Sequence, residues 1–516
     1  MCNNFQQIVC GSALTKTSTH SRGRNHRSGT GNHSALFKPS RSKKPLLQLL
    51  AVVTLGCCGH VADAHTTLPD VPSDSSFCII SPDDEFRAPP DNLKFSPRND
   101  CSFLERAERM FLWVTSPYGR DSYVFRSPAF FDAWSTDSGL RELKTTDFNL
   151  TNSKLKNLDV KIAFAPGEAA GGKVLATQDC RIVYYLIQVN DVYAYFLTGV
   201  KNRKIITTEF PTGKILQSGE TDIDMTVNFA REHNKELEDR MALAVELKSA
   251  WVDVTESENM NYITNYITMK RPIPTYNNPV PCSSTSTSTS WSLKEPNEWR
   301  LLALVGMHVV FSAKGHPEMV WSTFEHVNNT PNNDYTYFKP NLQVATRLSD
   351  IAARWMFSDS DRNATFNKPR MHFEESTGNI VADDPKKPIG PSNIRRNAPW
   401  GSPGRNSDLN TKIISINDQF IGRLADNDIR KNYIMIGASW TSNGGDPRTA
   451  LRRGSDRLVN TTMETFVSTP MGTHEPGSST CLDCHKGPML GDKDEHGHAT
   501  RLSHIFGVLK PLPFDP

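Results

Sequence analysis

Motifs of several large enzyme classes are missing from this chain of 516 residues. It has no G-x-S-x-G nucleophile motif, no H-E-x-x-H zinc motif, no glycine-rich phosphate-binding loop and no flavin-binding fingerprint. It also has no repeat with a period of about 20–50 residues and no coiled-coil heptads. These absences exclude the enzyme classes that such motifs identify, and they exclude a solenoid or a coiled coil.

A strong net charge is missing too, since the formal charge of the whole chain is +2. Residues 1–64 contain eight Lys or Arg residues and a single acid, Asp63, so they carry +7 and leave −5 for the remainder. A mildly acidic body lacks the positive field with which a nucleic-acid-binding domain attracts phosphates. We therefore expect no nucleic-acid partner.

Long apolar runs are scarce, and the main one spans residues 45–59. It follows two lysines and precedes a small-residue site just before His65, which is the order of parts in a secretory signal peptide. The run is short for a membrane span. We predict a disordered basic extension at 1–42, a signal peptide at 43–64, and a periplasmic or extracellular mature protein without a membrane span. An uncleaved N-terminal anchor is the alternative.

Ten cysteines are present, and two of them belong to the sequence Cys481-Leu482-Asp483-Cys484-His485. This is the C-x-x-C-H pattern of covalent haem attachment. Its two thiols bond to the two vinyl groups of haem, and its histidine becomes the proximal ligand of the iron. We predict one covalent haem c on Cys481, Cys484 and His485, attached by a cytochrome c maturation system.

Other interpretations of the cysteines stay open. The C-x-x-C pair could be half of a zinc site, which needs further ligands, or a disulfide or redox-active dithiol. Four more cysteines follow the signal, and in an oxidising compartment they could form two disulfides. Cys78 with Cys101 is the first pairing that we expect, whereas Cys180 and Cys282 could equally be buried free thiols.

Apolar periodicity and turn residues divide the body into elements. We predict helices at 102–115 and 127–135 and strands at 180–197, 241–254, 299–311 and 318–327. The last two strands should pair through a turn at 315–317, with a surface loop about 274–291 and an irregular excursion at 367–410. These elements predict an α+β fold with a mainly antiparallel sheet.

The haem motif stands near the end of the chain, after an irregular arm at 65–100 and a body at 101–470. Only 31 residues follow His485, too few to build an independent domain that buries a haem. We therefore predict that the segment 471–516 folds back onto the α+β body. This differs from the small all-α domain of soluble cytochromes c.

The sixth ligand of the iron separates electron transfer from catalysis, because an open position permits binding of peroxide or oxygen. His308 is the first candidate, since Gly306 on the same strand face would leave room for a planar cofactor. His326 on the neighbouring strand is the second. For both residues the alternative is a hydrogen-bonded core histidine.

Three segments, 245–251 (VELKSAW), 304–310 (LVGMHVV) and 319–327 (MVWSTFEHV), carry a resemblance in patches across about residues 100–510. Together with the single C-terminal C-x-x-C-H, they resemble a family of uncharacterised secreted bacterial c-type cytochrome proteins. The resemblance implies that the whole body holds the haem as one unit. Polar and aromatic residues of these segments would then pack on the haem or tune its potential, or else form ordinary core contacts: Lys248, Trp251, Trp321 and Glu325.

The expected function is that of a mono-haem c-type cytochrome that exchanges electrons with a redox partner protein or a small-molecule donor or acceptor. One alternative is a haem-dependent oxidoreductase that uses peroxide or oxygen, with His308 or Glu325 acting in an open distal pocket. Another is a haem-bearing ligand sensor or structural protein. The lack of a second C-x-x-C-H argues against a di-haem peroxidase.

Overall fold

A long antiparallel sheet runs through the part of the chain that the computed structural model describes. The described residues are 77–80, 88–120, 122–133, 139–143, 164–207, 209–255, 264–282, 287–351, 353–359, 361, 365–401, 406–455, 457–466, 482, 485 and 502–514. They all belong to one compact unit. The predicted extension at 1–42, the predicted signal peptide at 43–64, and Cys481 and Cys484 lie outside these residues.

Nine of the described strands form the main sheet, and each neighbouring pair is antiparallel. From edge to edge the order is β14 (Arg452–Gly454), β13 (Tyr433–Thr441), β8 (His316–His326), β7 (Leu293–Ala313), β4 (Val245–Asp253), β3 (Val183–Asn190), β1 (Phe130–Ala133) and β2 (Leu140–Glu142). β5 (Thr268–Tyr276) pairs with the N-terminal half of β7. Smaller described sheets pair β9 (Tyr335–Phe338) with β10 (Val344–Arg347) and join β11 (Met371–Glu374), β12 (Asn379–Ala382) and β6 (Ser290–Trp291).

The described α-helices are α1 (Asp100–Val114), α2 (Asp191–Lys201), α3 (Asp222–Glu232), α4 (Ser407–Arg423) and α5 (His504–Val508). Asparagine side chains cap the N-termini of α1, α2 and α4. Asn99 accepts a hydrogen bond from the amide of Ser102 in α1, and Asn190 accepts one from the amide of Tyr193 in α2. None of the helices within the described ranges is long and apolar enough to cross a bilayer. This combination of helices and antiparallel sheet confirms the predicted α+β fold.

Strand alternation gives the sheet two different faces. The helix face, which carries Leu247 and Met307, packs against α1 and α4, and Phe111 of α1 stacks on Phe324 of β8 with ring centroids 4.2 Å apart. The opposite side, here called the site face, carries Lys248 directly across from His308. It packs against α2, α3 and the C-terminal residues 502–514. Residues 502–514, the longest described part of the C-terminal segment, therefore fold back onto the sheet, as predicted.

Most of the predicted elements are confirmed. The helix predicted at 102–115 is α1, the strand predicted at 241–254 contains β4, and the two later strands are β7 and β8, which pair through a turn. The loop predicted about 274–291 is shorter than expected, because β5 extends to Tyr276 and β6 begins at Ser290. The excursion predicted at 367–410 contains the β11–β12 hairpin and the start of α4.

Two predictions are wrong. Residues 127–135 contain the strand β1 instead of a helix, because pairing with β2 and β3 on both sides overrides a weak local preference. The strand predicted at 180–197 ends at Asn190, where α2 begins. That helix is buried almost all round its circumference, so its sequence shows no polar stripe and looks like a buried strand.

The four cysteines among the described residues outside the motif form two disulfides. Cys78 bonds to Cys101 with the Cα atoms 5.3 Å apart, which confirms the expected pairing. Cys180 bonds to Cys282 with the Cα atoms 5.2 Å apart, so the alternative of free thiols is wrong. The first bond ties the chain before the body to the start of α1.

An isolated carboxyl group lies in the core on the helix face. Glu108 of α1 is buried, and its Oε2 atom has no hydrogen-bond partner among the described residues. Burial penalises the charged form and raises the pKa of Glu108 from 4.5 to about 8. The folded protein therefore keeps a proton that the unfolded chain loses between these two pH values.

Replacing Glu108 by Gln should stabilise the protein at neutral pH. Folding raises the pKa of Glu108, so its contribution to the free energy of unfolding of the wild type is fully present below pH 4.5. That contribution is lost as the pH rises toward 8. We expect Glu108→Gln to have a higher free energy of unfolding than the wild type. The difference should grow across this window to a few kcal/mol, on the order of 1.4 kcal/mol per pKa unit. Urea unfolding at several pH values measures it. Exposed Glu232→Gln is the control, and an equal pH trend in both variants would contradict the assignment.

Candidate functional site

The histidine of the C-x-x-C-H motif is held by the residues that follow it. The Nδ1 atom of His485 lies 2.6 Å from the carbonyl oxygen of Leu502. The ring stacks on His504 with centroids 3.9 Å apart and lies 4.1 Å from the ring of Trp321 on β8. Burial and then the neighbouring His504 hold the pKa of His485 well below its usual range, so the ring is neutral.

This contact fixes the tautomer of His485. A carbonyl oxygen only accepts hydrogen bonds, so Nδ1 carries the proton and Nε2 keeps its lone pair. A metal-bound histidine characteristically donates its other N–H to a carbonyl or carboxylate in this way. The described residues around His485 therefore fit an iron ligand that binds through Nε2.

The segment that supplies this carbonyl is fastened to α2 and β4. The hydroxyl of Ser503 lies 2.5 Å from the hydroxyl of Tyr193 and donates to the carboxylate of Glu246 at 2.6 Å. Lys201 of α2 donates to the carbonyl of Gly507 at 2.9 Å. Leu482 of the motif and the apolar side chains of this segment pack in the cluster around α2, the latter being Leu502, Ile505, Phe506 and Leu509.

A band of polar side chains crosses the site face beside His485. This polar row consists of Glu246 and Lys248 on β4, His308 on β7, and Thr323 and Glu325 on β8. It separates two apolar clusters that pack on the same face. The lysine of the row pairs with Glu168 at 3.3 Å.

The structure places His308 on the same side as His485, and the charge of His308 acts on the His485 ring. Its Nε2 atom, however, lies 2.9 and 3.0 Å from the two carboxylate oxygens of Glu464. A carboxylate only accepts, so Nε2 is protonated and cannot bind iron unless this pair opens. Burial acts to raise the pKa of Glu464, but the interactions with His308, Lys248 and the amide of Asn460 together outweigh it and lower this pKa. We therefore do not include His308 among the ligands.

The space expected above Gly306 is filled by protein. A Cβ atom at this position would lie 2.8 Å from Oδ1 of Asn460 and would collide with the hydroxyl of Thr462. Asn460 in turn donates to the hydroxyl of Thr323 at 2.8 Å. The glycine therefore makes room for the turn at 460–464, and the expectation that it admits a planar cofactor is wrong.

His326 lies on the other side of the sheet, toward the helix face, because it is adjacent to Glu325 on β8. Its Nε2 lies 2.9 Å from the carbonyl of Asn265, and its Nδ1 accepts from the amide of Asn328 at 3.2 Å. Burial lowers its pKa to about 4. Both ring nitrogens of this neutral histidine are occupied, so His326 offers none to an iron atom, and the core alternative describes it.

Glu325 and the two tryptophans have distinct positions. The carboxylate of Glu325 is fully buried, accepts from the amide of Thr461 at 2.8 Å and pairs with Arg396, so it joins β8 to the 460–464 turn instead of facing a pocket. Trp251 lies on the helix face and donates to the hydroxyl of Ser249 at 2.7 Å. Of Glu325, Trp251 and Trp321, the last contacts the ring of the motif histidine.

Glu246, Ser503 and Glu464 are not among the site residues predicted from the sequence. One signal for the first was available, because Glu246 and Lys248 alternate with apolar residues on an otherwise buried strand. The partners of Ser503 and Glu464 lie far away along the chain, and no local pattern indicates them. No group of three or more His, Cys, Asp or Glu side chains that could hold a metal ion occurs within the described ranges.

Comparisons with protein-family models, with curated proteins and with solved structures give no match for this chain. Its function is therefore inferred from the C-x-x-C-H motif and from the contacts of His485 and the polar row.

Placing a methyl group at Gly306 should dislodge the 460–464 turn. We expect Gly306→Ala to lower the free energy of unfolding by about 1–3 kcal/mol, because Asn460 and Thr462 occupy the space. The matched control is Gly422→Ala near the end of α4, where nothing lies within 4 Å and the helix should gain about 0.5–1 kcal/mol. Urea unfolding midpoints measure both changes. A Gly306→Ala variant with an unchanged free energy of unfolding would contradict the packing of this turn.

Proposed function

We propose that this chain is a secreted mono-haem c-type cytochrome that exchanges single electrons with a redox partner. The observation that carries the proposal is the C-x-x-C-H motif whose histidine donates Nδ1–H to the Leu502 carbonyl and so keeps Nε2 as a ligand. Bound haem c would supply the one-electron couple. The implied partners are a maturation system and a redox protein or small-molecule donor or acceptor in the periplasm or outside the cell.

The chain's own residues would hold and shield this group. His485 would bind the iron, and the hydrogen bond to Leu502 would raise the basicity of its ring. Trp321 and Leu482 belong to the apolar cluster beside His485 and would limit the access of water. Lys248, whose charge acts on His485, is the candidate partner for a propionate. Cys481 and Cys484 would form the thioether bonds.

A second function, that of a haem-dependent oxidoreductase using peroxide or oxygen, is favoured by one contact. The His308–Glu464 pair faces the same region as His485, and a histidine bound to a carboxylate can accept and return a proton. This function needs an open position on the iron, whereas the electron-transfer function does not.

Covalent attachment is the first test of the proposal. We expect the mature protein, coexpressed with cytochrome c maturation factors, to keep haem through a denaturing gel and to give a c-type pyridine haemochrome spectrum. Cys481→Ser with Cys484→Ser should abolish the haem band. The matched control is Cys180→Ser with Cys282→Ser, which removes a disulfide and should keep it. Wild-type protein without haem, despite active maturation, would refute the proposal.

The spin state of the oxidised protein should separate the two functions. Electron transfer predicts a low-spin, six-coordinate spectrum that cyanide and carbon monoxide change little. A high-spin spectrum that responds to these ligands supports the oxidoreductase instead. His308→Ala then serves as the second measurement, because it should slow peroxide reactivity in an oxidoreductase and leave the low-spin spectrum of a cytochrome unchanged.

A further inference from the structure

Glu246 is linked to the motif histidine through a single residue. Its carboxylate accepts from the hydroxyl of Ser503 at 2.6 Å, and Ser503 follows Leu502 directly in the chain. The carbonyl that accepts the proton of His485 therefore belongs to the peptide group that joins Leu502 to Ser503. Anchoring the Ser503 side chain restrains the plane of that peptide group and hence the direction of its carbonyl.

The direction of these hydrogen bonds depends on whether Glu246 carries a proton. An ionised carboxylate only accepts, so Ser503 must donate to Glu246, and Tyr193 then donates to Ser503 across 2.5 Å. A protonated carboxyl can donate, which lets Ser503 turn its own proton toward Tyr193. Protonation of Glu246 therefore changes the hydrogen bonding of the residue next to the Leu502 carbonyl.

The surroundings of Glu246 favour protonation near neutral pH. Its cross-strand neighbours are apolar, Val189 on β3 and Val310 on β7. Burial is the largest cause that raises the pKa of Glu246 to about 7, and the Ser503 hydrogen bond and the charges of Lys248 and His308 oppose it. The phenol of Tyr193 on α2 also faces it. These are the titratable groups that act on Glu246 among the described residues.

We propose that Glu246 is a positioning residue for His485 and takes up one proton when the haem site gains an electron. This inference rests on the proposed function. With haem bound, the electron would come from a one-electron reductant and would convert ferric to ferrous iron. The proton would come from solvent and would bond to the Glu246 carboxylate. Oxidation would release both, and no covalent bond other than the O–H bond of the carboxyl group would form or break.

The sign of the coupling follows from charge. Gain of an electron removes one positive charge from the site, so a nearby carboxylate binds its proton more tightly, by on the order of tenfold. Because the reduced form holds the extra proton, the reduction potential should fall as the pH rises through about 7, the pKa of Glu246. A tenfold change in proton affinity corresponds to a total fall of 59 mV for a one-electron couple.

Redox titration of the haem-loaded protein across neutral pH, with mediators, tests this coupling. We expect the wild-type potential to fall with pH and the Glu246→Gln potential to be higher above neutrality and flat, because the amide keeps the shape and loses the charge. Ser503→Ala keeps the charge but breaks the link, and it should reduce the slope. Glu232→Gln on the exposed face of α3 is the control and should match the wild type.

The outcomes separate the two proposals. Covalent haem with a pH-independent potential, or a slope that survives Glu246→Gln, would overturn the role of Glu246 and leave the cytochrome proposal standing. A full slope in Ser503→Ala would overturn the positioning role, since charge alone would then carry the effect. Absence of covalent haem from the wild type would overturn both. If Glu246→Gln fails to fold, the Ser503→Ala slope decides.

Discussion

The register of β4, β7 and β8 is the constraint on which the rest of the molecule depends. Because successive side chains of a strand point to opposite faces, this register sends Leu247 and Met307 to the helix face and aligns Lys248 with His308 on the site face. A slip of one residue would bury the charged side chains under α1 and α4. The long strand β7 makes such a slip costly, since it pairs with β4, β5 and β8 at once.

The site face is built by segments that come late in the chain. The 460–464 turn packs over Gly306 and places the Glu464 carboxylate within hydrogen-bond distance of His308. Residues 502–514 pack on α2 and place the Leu502 carbonyl within hydrogen-bond distance of His485. Both segments are fixed by side chains of the polar row. Buried polar groups of this kind must be satisfied, which makes the row a set of attachment points as well as a candidate redox environment.

The histidines show how one residue type acquires different roles. His326 is a neutral core residue with both nitrogens bound to the backbone. His308 is paired with a carboxylate, and His485 keeps a free lone pair on Nε2 because a carbonyl occupies Nδ1. Their hydrogen-bond partners distinguish them.

The sequence alone determined features that depend on neighbouring residues: the C-x-x-C-H pattern at Cys481, Cys484 and His485, the helix α1, the β7–β8 pair and the α+β class. It failed at β1 and α2, where strand pairing and burial on all sides override or hide the local pattern. Only the tertiary structure decided the contacts of the site. These contacts join residues that are far apart along the chain, such as Ser503 and Glu246, which are separated by 257 residues. They meet because the C-terminal residues pack back onto the sheet, and no local periodicity in the sequence encodes that packing.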